Sequence, residues 1–177
     1  MYKHKTYCPY IKYYDHQGLS KNGATIANQI VSTTKIDKVL GTFSGTTLSA
    51  QPIFERNKVL QYNFVSTNDV LKNSRYTLRC FPSTYDICRA FMKDISVEIN
   101  PKRIVILYAN TEYGKSFYNE FISMNDSVAC DFSIQYYVYD EAVRDYRDHI
   151  SKMKLTEDDI LFIAGQYHAL GIIVKQI

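Results

Sequence analysis

Four short segments of this sequence carry side chains suited to chemistry: Ser44-Gly45-Thr46-Thr47, Val65-Ser66-Thr67-Asn68, Asn110-Thr111-Glu112-Tyr113-Gly114 and Gly165-Gln166-Tyr167-His168. The first two present small hydroxyl and amide residues directly after a short apolar run. The last two present tyrosine in the same position. Such groups suit holding a small polar molecule. A helix N-terminus offers free N–H groups and a positive dipole end to a carboxylate or other anion. A tyrosine adds a flat apolar face with a polar tip. Each residue also has a plainer reading. Ser and Thr at a helix start commonly serve as N-caps, and taken alone Thr46 and Thr67 read that way. Tyr113 and Tyr167, taken alone, read as packing residues in a chain with 16 Tyr and 0 Trp.

Catalytic readings find less support. Gly41-x-x-x-Gly45 lacks the Gly-Lys-Ser/Thr of a phosphate-binding loop, and no G-x-G-x-x-G is present, so no nucleotide cofactor is expected. His168 could act as a base, but no Ser or Cys in a nucleophile elbow accompanies it. Glu112 and Asp145 read as solvated or capping carboxylates. The cysteines Cys8, Cys80, Cys88 and Cys130 form no C-x-x-C, and His4, His16, His149 and His168 form no ligand-spaced pair, so no zinc site is expected. Cys80 and Cys88 are expected to be buried free thiols, with a disulfide between them the minority case.

The elements that must position these segments alternate along the chain. Pro9–Tyr14 is a short extended run ending in the turn cluster Asp15–Gly18. Ser20 to about Lys35 has helical spacing of Ala24, Ala27, Ile30 and Val31. Lys38–Phe43, Val59–Val65 and Tyr76–Phe81 read as strands. Helices are predicted from Ser44 and from Pro82-Ser83, the latter running to about Ile99. Asn100-Pro101 is a break, because the residue before proline is pushed out of the helical region. After it, Arg103–Ala109, Phe132–Tyr139 and Ile160–Ala164 read as strands. Helices are expected to about Met124, over Arg144–Lys154 and over His168–Ile177. Such alternation predicts crossover units and mostly parallel sheet. The runs Lys38–Phe43, Val59–Phe64, Arg103–Ala109 and Ile160–Ala164 read as strands covered on both faces. In open α/β sheets, ligands bind outside the carboxyl ends of the strands, where all four segments fall.

Composition narrows the class further. The 177 residues, 46% hydrophobic and 22% charged, fit one domain or two small lobes and give a chain able to bury a core. A net charge of +3, dispersed along the chain, gives no case for nucleic acid. No apolar run approaches the ~20 residues of a membrane span, and Met1–Tyr10 lacks the apolar stretch of a signal peptide.

Several stretches together resemble the type I periplasmic binding proteins, in particular the leucine/isoleucine/valine-binding branch that serves ABC transporters. They are Asp37–Pro52 (DKVLGTFSGTTLSAQP), Val59–Leu71 (VLQYNFVSTNDVL), Tyr76–Ser83 (YTLRCFPS), Pro101–Gly114 (PKRIVILYANTEYG) and Arg144–Gln176. The resemblance implies an α/β fold of two lobes of mostly parallel sheet, here residues 1–99 and 100–177, closing on a ligand. It implies ligand contacts from Gly45, Thr46 and Thr47, from Val65, Ser66 and Thr67, and from Tyr113 and Tyr167. No catalytic residue, metal or cofactor is implied. The implied role is extracytoplasmic capture of an amino acid or similar small polar ligand, with transporter membrane subunits as partners. A ligand-sensing domain and a non-binding fragment are the alternatives, and an α/β enzyme using His168 or Glu112 comes after them. Family members are about twice as long. The sequence matches from after the family's first strand and helix, and stops before its acidic ligand residue and the return to the first lobe. Both lobes are therefore expected to be incomplete, and the chain alone to self-associate or be marginally stable.

Overall fold

The computed structural model describes residues 10–33, 35–99, 101–125 and 132–177. Pro9, Asn100, Cys8 and Cys130 lie outside the described residues. Six helices and six strands alternate in this part of the chain. They are α1 (Ser20–Thr33), β1 (Lys38–Thr42), α2 (Ser44–Arg56), β2 (Leu60–Phe64), β3 (Thr77–Arg79), α3 (Thr84–Asp94), β4 (Arg103–Ala109), α4 (Glu112–Asn125), β5 (Ser133–Tyr139), α5 (Arg147–Met153), β6 (Asp159–Ala164) and α6 (Tyr167–Gln176). A 3-10 turn over Asn68–Leu71 follows β2, where the sequence suggests only a polar loop. A π-helical turn, Ile95–Ile99, extends α3.

The strands form two separate parallel sheets, ordered β1-β2-β3 and β5-β4-β6. This matches the expected α/β architecture. Residues 10–16 are irregular and join neither sheet.

In the second sheet, β4 is buried on both faces. Ile104 and Ile106 point into a cluster with Phe117, Phe121 and Met124 of α4 and Cys88 and Met92 of α3. Val105, Leu107 and Ala109 point the other way, against Tyr139, Tyr146, Met153 and the α6 residues Ala169 and Ile173. The alternation follows from the two-residue period of a strand. At the opposite end of the strands Arg103 is held by Asp159, with Nε 2.8 Å from Oδ1, and donates to Gln135 and to the carbonyls of Met153 and Lys154. The guanidinium beside Asp159 holds that carboxyl well below the usual carboxylate range.

Among the described residues the first sheet is covered on one face only. Helices α1 and α2 bury Ala27, Ile30, Ala50, Ile53, Phe54 and Val59 with Val39 packed against them. The same face carries Gln61 and Asn63, both buried. On the opposite face Leu40 is 73% and Phe64 52% exposed, and Leu78 is exposed too. The expectation that Lys38–Phe43 and Val59–Phe64 are doubly covered therefore fails. Both runs carry apolar residues on each face, but no helix among the described residues packs on that side.

The edge of this sheet is pinned by Glu55 of α2. Its carboxylate accepts from the Arg75 and Tyr76 amides at 2.9 and 2.7 Å and from the Thr77 hydroxyl at 2.9 Å. Burial would raise its pKa, but these donors outweigh burial and lower it. Among the described cysteines both are free thiols. Cys88 is buried and its thiol is pushed up to about 12 by that burial. Cys80 is exposed, contrary to expectation, because it follows the short edge strand β3.

Candidate functional site

In both sheets the candidate segments follow the carboxyl ends of the strands. The end of β1 lies in register with the end of β2, Thr42 against Phe64, so Gly45–Thr47 and Val65–Thr67 share one edge. β4 and β6 are likewise paired, Tyr108 against Ala164, which brings Tyr113 and Tyr167 to one edge of the second sheet. The two edges meet at Gly45. A Cβ there would overlap the Ser20 hydroxyl and lie 3.7 Å from Glu112 Cγ, so the first turns of α1, α2 and α4 converge on this residue. Glycine is needed because three helix ends approach one backbone position.

The turn into α2 has unusual geometry. Phe43, at its N-cap position, has φ 63° and offers no side-chain cap. A non-glycine residue there stores on the order of 1–3 kcal/mol of strain, a feature that clusters at functional sites. The Thr46 hydroxyl turns back to the carbonyls of Thr42 and Phe43 at 2.6 and 2.9 Å, and so does not cap the helix. Ser44 is buried, and its hydroxyl has no partner among the described residues. Among the described residues the first-turn N–H groups of α2 thus lack a side-chain acceptor, the condition under which a helix N-terminus takes an anion. Thr67 also makes no capping bond to the turn it precedes. Thr47, Val65, Ser66 and Thr67 are all buried beside this edge. By contrast α3 and α4 are capped, by Ser83 accepting from Asp86 N–H at 3.0 Å and Thr111 from Gly114 N–H at 3.2 Å.

The two tyrosines differ. Tyr113 is half-buried and packs edge-on against Phe117, with ring centroids 5.1 Å apart, on the α3–α4–β4 cluster. Burial, with Cys88 nearby, raises its phenol pKa. Tyr167 is 68% exposed, its ring centroid 4.4 Å from that of His168.

Behind Tyr167 stand residues that sequence reasoning does not single out. Tyr139, the last residue of β5, is 2% exposed and its hydroxyl has no partner among the described residues. A Cβ at Gly165 would overlap that hydroxyl. Glu141 accepts the Gln166 N–H at 2.9 Å, tying the β5–α5 loop to the β6–α6 loop. The only sequence signal for these is their place at a strand end.

Among the described residues no three His, Cys, Asp or Glu side chains gather to hold a metal. A concavity of ≈ 520 Å³ between α5 and α6 is lined by Arg147, Gly171, Ile172, Lys175 and Gln176 and shares no residue with the site. Among the described residues no helix is long and apolar enough to cross a membrane.

Solved structures share this fold. A leucine-binding protein, LivK, from Thermotoga maritima superposes with a TM-score of 0.82 at 21% identity, covering 92% of this chain and 47% of its own. A branched-chain amino acid substrate-binding protein, LivJ, from Streptococcus pneumoniae in complex with isoleucine gives 0.80 at 20%, covering 92% and 47%. A solute-binding protein of an ABC transporter from Rhodopseudomonas palustris in complex with 3,4-dihydroxybenzoic acid gives 0.76 at 18%, covering 92% and 45%. The chain therefore spans less than half the length of these structures. No curated protein matches the sequence at a significant level. The family model described as periplasmic binding protein matches residues 10–176, and the chain belongs to that family.

Proposed function

We propose that this chain is a solute-binding module that captures an amino acid or similar small polar ligand between its two lobes, outside the cytoplasm and in the service of an ABC transporter. The observation that carries this reading is the uncapped start of α2, set beside Val65–Thr67 and facing the start of α4. Isoleucine and 3,4-dihydroxybenzoic acid, the molecules bound by two of the similar structures, both carry a carboxylate. A carboxylate is what uncapped N–H groups and adjacent hydroxyls accept. Gly45, Thr46, Thr47, Val65, Ser66 and Thr67 would hold it, while Tyr167 closes over the rest of the ligand. Tyr113 would contribute chiefly by packing the wall from which the site is built. The reading is one of capture and release, with no bond made or broken.

The packing of α3 bears on where the lobes divide. Cys88, Met92 and Ile95 precede Pro101 in the chain but belong to the core of the second sheet. We therefore place the division near residues 80–83, between β3 and α3, rather than at Asn100.

A thermal-shift screen against amino acids and small carboxylates tests the proposal. A ligand at 100 times its dissociation constant stabilises by about 2.7 kcal/mol. Thr67→Val removes one hydrogen bond to a charged group, worth roughly 1.5–3 kcal/mol, so affinity falls by about tenfold or more. A panel that gives no shift, or a Thr67→Val protein that binds as tightly as the wild type, counts against the assignment.

A further inference from the structure

One polar chain crosses from the first sheet to the second. Arg79, the last residue of β3, donates from Nη1 to the Asn68 side-chain oxygen at 2.7 Å. The other end of the same amide, Nδ2, donates to Glu120 Oε1 of α4 at 2.8 Å. Asn68 follows Thr67 directly and opens the 3-10 turn over Asn68–Leu71. Glu120 lies on the helix whose first turn carries Glu112 and Tyr113.

The chemistry of an amide suits this place. Asn offers an acceptor on one end and a donor on the other, and here the acceptor meets a cation and the donor a carboxylate. Both hydrogen bonds are charge-assisted, and both are partly shielded from water. No other uncharged side chain of this length offers both. Aspartate would keep Arg79 but set two carboxylates face to face. A second tie runs nearby, where the Thr84 N–H donates to the Ser66 carbonyl at 2.9 Å and anchors the start of α3 to the same loop.

We infer that Asn68 is the positioning residue of the clamshell, keying the ligand loop Val65–Thr67 of the first sheet to helix α4 of the second through the Arg79–Asn68–Glu120 relay. The inference rests on the proposed function for its meaning, because the loop it sets is the one proposed to hold the ligand. The relay's geometry stands without any ligand. Through it, the separation of the sheets and the placement of Thr67 are coupled, so a change in one is felt at the other.

The test reverses the polarity of the joint. In Asn68→Asp a carboxylate faces Glu120, and the pair should separate. In Asn68→Asp combined with Glu120→Gln, the new amide donates to the new carboxylate and the link is restored in the opposite direction. Glu120→Ala removes the acceptor without adding charge and serves if Asn68→Asp fails to fold. Spin labels attached by bio-orthogonal chemistry at the exposed positions 56 and 157 report the distance distribution between the halves, first without ligand. Asn68→Asp and Glu120→Ala should lengthen or broaden that distribution, and the double variant should return it to the wild-type shape. An unchanged distribution in the single variants overturns the inference. So does a double variant no closer to wild type than Asn68→Asp, since a purely local role for Asn68 would not be rescued from α4. The same measurement with L-leucine and the rest of the amino-acid panel separates the two claims. If the wild-type distribution responds to none of them, the proposed function suffers while the ligand-free result still decides the relay.

Discussion

The two sheets of this protein are both three parallel strands and end in different physical states. The second sheet buries β4 on both faces behind apolar side chains: Ile104, Val105, Ile106 and Leu107 are all fully buried. The first sheet has one covered face, which is polar toward its carboxyl end where Asn63 sits, and one open face bearing Leu40, Phe64 and Leu78. Parallel sheets ordinarily have both faces covered. The second half is therefore the more fully covered of the two. The first half holds a strained Phe43, buried hydroxyls and a helix start with no side-chain cap at Phe43, and has the smaller apolar core to stabilise it.

The sharpest way to break this comparison is a pair of truncations. Phe121→Ala removes a fully buried ring stacked edge-on against Phe91 and Phe162 and should cost about 3–5 kcal/mol in a denaturant melt. Leu40→Ala, on the open face of β1, should stay within about 0.5 kcal/mol of wild type. Equal costs would show that the open face is covered in solution. A second pair contrasts the tyrosines. Tyr113→Ala should destabilise by about 2–3 kcal/mol through lost packing on Phe117. Tyr167→Ala should leave the melt within about 0.5 kcal/mol and weaken ligand binding. A Tyr167 variant with unchanged affinity would remove that residue from the site.

Acid should loosen the two halves in order. Glu55 has a lowered pKa against an ordinary value of 4.5, so its contribution is present above that pH and lost as pH falls through the lowered value. Asp159 is lowered further, from an ordinary 3.8, by Arg103, and its contribution survives to more acidic pH. Amide exchange at Tyr76 should therefore accelerate at a higher pH than exchange around Asp159. The opposite order would contradict the assigned partners. A small stabilising effect is expected at Lys154, which ends α5 with φ 47°. Lys154→Gly should stabilise by about 0.5–1 kcal/mol, readable as a raised melting temperature.

Much of this architecture is legible in the residues. Arg103–Ala109 is a strand with the predicted bounds, and the alternation of apolar runs with helical spacing yields two parallel sheets. The candidate loops fall on shared edges because strand ends can be located from hydrophobic runs alone. What is hidden depends on partners distant in sequence. Lys38–Thr42 and Arg103–Ala109 both read as strands, and the presence or absence of a second helix layer separates a buried Ile106 from an exposed Leu40. The break at Asn100-Pro101 is a local backbone signal, whereas α3 packs by its apolar face on the sheet that follows. Tyr139 does not stand out in sequence among 16 tyrosines, and Asn68 reads only as part of a polar loop after a strand. Their roles come from Gly165 in one case and from Arg79 and Glu120 in the other.

The central claim is that a carboxylate-bearing solute sits at the start of α2, against Val65–Thr67. Its most direct test is an amide-exchange footprint of the chain with and without the amino acid or carboxylate giving the largest thermal shift. Slowed exchange is expected at Gly45–Thr47 and Ser66–Thr67, with a weaker effect at the start of α6. Protection confined to the concavity between α5 and α6, around Arg147 and Lys175, with the α2 turn unchanged, would contradict it.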